Sequence, residues 1–281
     1  MTTHIDELMT FLSGSITPFH AVEVMAKTLQ RAGFEQLDQF DAVRMTPGKG
    51  YFVVHQGSSL MAVRAGQSGV ETGLRLVGAH TDSPNLSVKP NPVKGRDGCI
   101  QLGVDVYGGA LLNPWFDRDL GMAGRVTMLT PESALRTTLF DTGRAVAVIP
   151  SLAIHLDREA NTQRSINRQK DVVPLVMLGE HEQYDLKAWL AQELTRVDSQ
   201  WQGARVMDYE LSLYDTQPPN QIGIDGDFIT SARLDNLLSC FAGMRALIDA
   251  DDAEWSLFVA TDHEEVGSAS TVGAQGPMLM D

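Results

Sequence analysis

Apolar residues recur at helical spacing in two opening stretches, first at Ile5, Leu8, Met9 and Leu12, then at Val22, Met25, Ala26 and Leu29. The second stretch begins with Thr17 ahead of Pro18 and closes at Gly33, residues that start and stop helices. Two amphipathic helices are therefore predicted. Strand-like apolar runs follow at residues 51–55, 60–64 and 74–79, and the last of these ends in the polar sequence HTDSPNL. A buried strand that opens into a polar loop is where α/β proteins place their chemistry.

The pattern changes between residues 91 and 230. Leu102, Val104 and Val106 alternate with Gly or polar residues, as do Met207, Tyr209, Leu211 and Leu213, which is the period of half-solvated strands. RAVAVIPSLAIHL also reads as a strand. The clearest helix in this span is YDLKAWLAQELTRV, with Leu186, Trp189, Leu190 and Leu194 on one face. After it, SARLDNLLSCFAGMRALIDA returns to helical period through Leu237, Leu238, Phe241, Met244 and Leu247, with Asp235 where an N-cap would sit, and the strand WSLFVA follows. The predicted architecture is an α/β domain made of residues 1–90 and 231–281, interrupted by a β-rich module at 91–230.

Composition narrows the function. Of 281 residues, 43% are hydrophobic and 21% charged, as in ordinary soluble proteins. A net charge of −14 repels nucleic acid and anionic membranes, so neither is expected as a partner. Cys99 and Cys240 are the only cysteines, which argues against a disulfide framework or a thiolate metal site. The N-terminal MTTHIDELMTFLSGS carries acids where a signal peptide has basic residues, and no stretch nears the roughly 18 apolar residues of a spanning helix. The expectation is a soluble, cytoplasmic protein.

Three polar clusters stand at element ends: HTD at 80–82, LDN at 234–236 and DHEE at 262–265. One histidine among several carboxylates is a nitrogen and oxygen donor set suited to zinc, manganese or cobalt. On extended backbone Asp82 shares a side with His80 and can support its imidazole from behind. Neighbours Glu264 and Glu265 on extended backbone point apart, so that one can bind metal while the other faces water. Taken singly, each cluster has a plainer reading: HxD is common, Asp235 is a helix N-cap, and the acidic run is a solvated loop. Their joint placement, two after apolar strands and one opening a helix, favours a site.

The stretches TPFHAV, RLVGAHTDSP followed by VKPNP, LGVDVYGG, WFDRDL, LAIHLDR, ARLDNLLSCFAG and DHEEVGSASTVGA resemble those of the aspartyl aminopeptidases. They occur in family order over nearly the whole chain. The resemblance implies a mixed-sheet, dinuclear-zinc exopeptidase-like catalytic domain with an inserted β-rich dimerisation domain. It implies that His80 binds one metal ion, Asp235 bridges two and Glu265 binds the other, with zinc the cofactor and manganese or cobalt as alternatives. Glu264 would be the general base acting on a metal-bridged water, with Asp82 the support behind His80. His155, which by itself reads as an ordinary strand histidine, would reach the active site of a neighbouring subunit. The implied substrates are peptides with an N-terminal Asp or Glu, for which Arg233 and Lys89 are candidate cations. Family members extend beyond the equivalent of residue 281 and carry two further ligands there, an Asp and a His, so the chain is expected to be an incomplete version of the enzyme. A related N-acyl amino acid amidohydrolase and an inactive assembly subunit are the alternatives.

Overall fold

The computed structural model describes residues 3–38, 44–180 and 184–279. Two compact units emerge, one from Met1–Ser83 and Pro218–Asp281, the other from Pro84–Gln217. The first unit opens with α1 (His4–Gly14), α2 (Pro18–Arg31), β1 (Glu35–Gln36), β2 (Gly50–His55), β3 (Ser59–Arg64) and β4 (Leu74–His80). The second supplies β5 (Asn85–Arg96), β6 (Cys99–Tyr107), β7 (Leu120–Leu129), β8 (Leu135–Asp141), β9 (Leu175–Leu178), α3 (Leu186–Val197) and β10 (Arg205–Asp215). The chain returns to the first unit with β11 (Asn220–Ile222), β12 (Phe228–Thr230), α4 (Leu234–Asp249) and β13 (Trp255–Thr261).

The first unit is a mixed five-stranded sheet in the order β1-β2-β3-β13-β4, with β13 antiparallel to β3 and parallel to β4. One sheet face, carrying Phe52, Leu60, Ala62, Phe258 and Ala260, packs with Leu12, Met25, Leu237 and Met244 of the helices into a single core. Full burial of a side chain such as Phe258 contributes about 1.5–3 kcal/mol. Thr3 caps α1 through a reciprocal box with Asp6, a signal the hydrophobic pattern does not carry. Leu238, placed by its spacing on the buried face of α4, is instead 46% exposed, because Leu237, Phe241 and Met244 already define that face.

The second unit is an antiparallel six-stranded sheet, β8-β7-β10-β5-β6-β9, with α3 beside it. Leu186, Leu190 and Leu194 of α3 enter its core, and Trp189 meets Phe140 edge to face. Two expectations change here. The alternation through β10 breaks at a register shift between Val206 and Asp208, so Val206 is buried and Met207 faces solvent. RAVAVIPSLAIHL is not one strand: Ala147 and Ile149 form isolated bridges, after which Pro150 has no N–H to offer and SLAIHL runs into turns. The unit limits also fall at 84 and 217, where the sequence pattern suggested 91 and 230. The reason is that β5 starts directly after the HTDSP loop and the β11–β12 hairpin belongs to the first unit.

Candidate metal centre

Parallel pairing of β4 with β13 sets Ala79 beside Ala260 and His80 beside Thr261. The two strands therefore end at the same level, and the loops HTD and DHEE leave the sheet side by side, at the carboxyl edge where open α/β sheets bind ligands. The start of α4 closes the third side. Asn236 Oδ1 accepts the His80 N–H at 3.1 Å, the Cys240 thiol donates to the His80 carbonyl at 3.1 Å, and Ser83 Oγ donates to the Asp235 carbonyl at 2.8 Å. Asn236, Cys240 and Ser83 were not singled out from the sequence. Their contacts depend on tertiary placement that no local pattern announces.

Asp82 ties the centre together. It is almost wholly buried, and its Oδ1 lies 3.2 Å from His80 Nδ1 while accepting the Glu264 N–H at 3.1 Å; Oδ2 accepts the Glu265 N–H, also at 3.1 Å. With Nδ1 engaged by Asp82, Nε2 of His80 faces the carboxylates, 3.4 Å from Asp235 Oδ1 and 3.8 Å from Glu264 Oε2. Burial disfavours the charged ring, but the hydrogen bond and charge of Asp82 and the charge of Glu264 outweigh it, so the His80 pKa is raised.

The acidic run is not extended backbone. His263 takes a left-handed conformation (φ 61°), Glu264–Val266 form a single 3-10 turn, and Gly267 closes it at φ 98°, where a side chain would be strained. The turn brings both glutamate N–H groups onto Asp82 instead of aligning the pair on opposite sides. Asp262 is buried, and this burial raises its pKa against the opposing effect of His263; its Oδ1 accepts the His263 N–H at 2.7 Å. Its own N–H donates to Ser59 Oγ at 2.9 Å. Asp262 is thus an anchor of the loop, and the like charges of the run do not crowd one point.

Asp235 is not a helix cap. The cap position of α4 is Arg233, and the exposed Asp235 carboxylate turns to His80 instead. Arg233, also left-handed at φ 62°, donates from Nε to the Ser15 carbonyl at 3.2 Å. Lys89 belongs to the second unit and pairs with Asp105 at 3.0 Å. His155 is in that unit too, exposed in a turn. His181 lies outside the described residues.

An imidazole nitrogen facing two carboxylates, with its far nitrogen held by a buried acid, fits a divalent cation in donor type. Among the described residues, no three His, Cys, Asp or Glu side chains come close enough together to hold a metal ion. The assembled element is therefore the pair His80 and Asp235 with Glu264 beside it. No helix among the described residues is long and apolar enough to cross a membrane.

Known proteins resemble this chain. The family model described as aminopeptidase I zinc metalloprotease (M18) matches residues 11–281. A probable M18 family aminopeptidase 2 of Ectopseudomonas mendocina (strain ymp) is 50% identical over 98% of this chain, and the match spans 64% of that relative. Among solved structures, the chain is similar to one in the Ape4 and Nbr1 complex, with TM-score 0.89, 32% identity, and coverage of 98% of this chain and 57% of that one. It is also similar to mApe1 of Chaetomium thermophilum, with TM-score 0.85, 30% identity, and coverage of 97% and 65%. The chain thus spans a little under two thirds of the length of these relatives, and it belongs to the aminopeptidase I zinc metalloprotease (M18) family.

Proposed function

We propose that the centre around His80 is the metal-binding and catalytic part of a cytoplasmic aminopeptidase that removes an N-terminal Asp or Glu from peptides. The observation that carries this reading is the convergence of His80 Nε2 on Asp235 and Glu264, with Asp82 buried behind the ring. His80, Asp235 and Glu265 would hold zinc, and the donors still needed would come from the further length that the relatives possess. Bound zinc supplies Lewis acidity toward the scissile carbonyl and makes a water molecule acidic near neutral pH.

The chain's own residues would do the following. Asp82 accepts a hydrogen bond from the Nδ1–H of His80 and so keeps the Nε2 lone pair directed at the centre. Glu264, whose side chain is 55% exposed and hence reachable, accepts the proton of the attacking water and passes it to the departing amine nitrogen. His155 of a neighbouring copy would assist at the carbonyl oxygen, which requires self-association through the β-rich unit. Recognition of an acidic residue by a protein of net charge −14 needs a local cation, and Arg233, two residues before Asp235, is the candidate in this chain.

The test is hydrolysis of an Asp-containing dipeptide in the presence of zinc, by this chain joined to the further length that the relatives possess. Wild type should turn over the dipeptide and not N-acetyl-Asp, and Glu264→Gln should lose at least about 100-fold in kcat while retaining zinc. Equal turnover by that variant refutes the role of Glu264, and a preference for N-acetyl-Asp refutes the aminopeptidase reading.

A further inference from the structure

Past Glu265 the chain folds back on itself, so that residues 262–276 form a compact loop with the two glutamates in its outgoing leg. Ser59, fully buried at the start of β3, closes the base. Its Oγ donates to the Val272 carbonyl at 2.7 Å and accepts the Asp262 N–H at 2.9 Å, so both legs of the loop hang from one hydroxyl. Further along, the Gln275 N–H donates to the Ser268 carbonyl at 3.1 Å, and the Gly273 N–H to that of Ser270, also at 3.1 Å. Gly273 lies so close to the Ser268 carbonyl oxygen that a Cβ there would collide with it. The returning leg thereby has one shape, and Ser270 a fixed place on it.

Ser270 Oγ lies 2.7 Å from Nδ1 of His263, the residue immediately before Glu264. Nε2 of the same ring is 3.7 Å from Asp262 Oδ2, so the imidazole spans from one leg of the loop to the other. His263 is left-handed at φ 61°, a conformation unfavourable for a residue with a side chain unless its surroundings hold it. Its N–H is bonded to Asp262 and its carbonyl takes the Ser268 N–H at 2.8 Å; the ring adds a side-chain tie to the returning leg. Glu264 and Glu265 follow directly. A rotation of the backbone at His263 would carry both of their N–H groups off Asp82 and move Glu264 Oε2 from its place 3.8 Å from His80 Nε2.

We propose that Ser270 is a positioning residue of the centre: by holding the His263 ring it keeps the left-handed turn that aims Glu264. Asp82 and Ser270 then grip the glutamate segment from two separate stretches of chain. The consequence for catalysis rests on Glu264 being the base proposed above; the hold on the glutamate backbone does not.

The experiment uses this chain joined to the further length that the relatives possess, as wild type, Ser270→Ala and Thr271→Ala. Thr271 carries the next hydroxyl along, 3.5 Å from Gln56 on an exposed part of the loop, and serves as the control. Two quantities are measured: cleavage of an Asp-containing dipeptide with zinc, and amide hydrogen exchange over the Glu264–Val266 turn and over β13. Ser270→Ala should lower kcat by at least about tenfold with KM within about twofold of wild type, because misplacing a reacting group by about 1 Å slows the step without weakening binding. It should speed exchange in the turn by at least about tenfold and leave β13 unchanged. Thr271→Ala should do neither. In a His263→Gly background, where the ring is gone, Ser270→Ala should cause no further loss. Unchanged exchange in the turn overturns the proposal, as do an equal effect of Thr271→Ala, faster exchange in β13 as well, a rise in KM in place of the fall in kcat, or a further loss in the His263→Gly background. Should wild type leave the dipeptide uncleaved, the proposed chemistry fails by itself, and exchange in the turn still decides the role of Ser270.

Discussion

Asp82 Oδ1 lies 3.2 Å from His80 Nδ1, two positions along one chain segment, and that single buried carboxylate also receives the N–H groups of Glu264 and Glu265. The contact couples the end of β4 to the loop after β13. Removing it therefore loosens two segments at once.

Asp82→Ala leaves two backbone donors and a ring nitrogen without their acceptor, which costs about 2–4 kcal/mol. Urea denaturation should show that loss, and zinc affinity should fall by about 10–100-fold. Asp82→Asn, which keeps one acceptor oxygen, should lose less on both counts. An Asp82→Ala chain as stable as wild type contradicts the coupling.

The raised pKa of His80 fixes the sign of a pH effect. The folded chain holds this proton more tightly than the unfolded chain does, so the associated stabilisation is complete below the ordinary histidine value of about 6.5 and is lost as pH rises through the higher folded value. Zinc competes with the same proton, so its affinity should increase over that window as the stability of the zinc-free chain declines. Calorimetric titrations between pH 6 and 8 check this, with His80→Asn flattening the dependence; a pH-independent wild-type affinity would count against it.

Cys240 is fully buried, and burial together with the Asp82 charge pushes its thiol up to about 12. Cys99 is partly exposed. A disulfide reagent at pH 8 should titrate one thiol per native chain and two after denaturation. Rapid modification of both in the native protein would show that α4 does not seal the back of the site.

Tyr209 donates its hydroxyl to the carbonyls of Lys89 and Pro90, at 2.8 and 3.0 Å, where the β5 register shifts between Val88 and Val93. Prolines 90 and 92 cannot donate to the ladder there, so the tyrosine holds the irregular stretch in place. Tyr209→Phe should destabilise the β-rich unit by about 1 kcal/mol, read by chemical denaturation.

Strands β2, β3 and β4 were legible in the sequence because each is a short apolar run, and β2 and β3 meet at the tight turn containing Gly57. The support of His80 by Asp82 was legible too, since side chains two apart on extended backbone share a side. Asp235 was not, because a helix-capping residue and a carboxylate aimed across to β4 look alike in sequence; only the placement of its Oδ1 3.4 Å from His80 Nε2 distinguishes them. The glutamate pair was misjudged for a similar reason. Left-handed His263 and Gly267 convert an apparent strand extension into a turn, and His carries no sequence mark of that conformation. SLAIHL failed because alternation of Leu152, Ile154 and Leu156 mimics a strand, whereas among the described residues that segment pairs with no strand and all three are exposed.

The most direct measurement is zinc retained after exhaustive dialysis, compared between wild type and the double variant His80→Asn with Asp235→Asn, each joined to the further length that the relatives possess. The account predicts zinc held by wild type and lost from the variant with the fold intact by circular dichroism. Equal retention by both, or none by wild type, would contradict it.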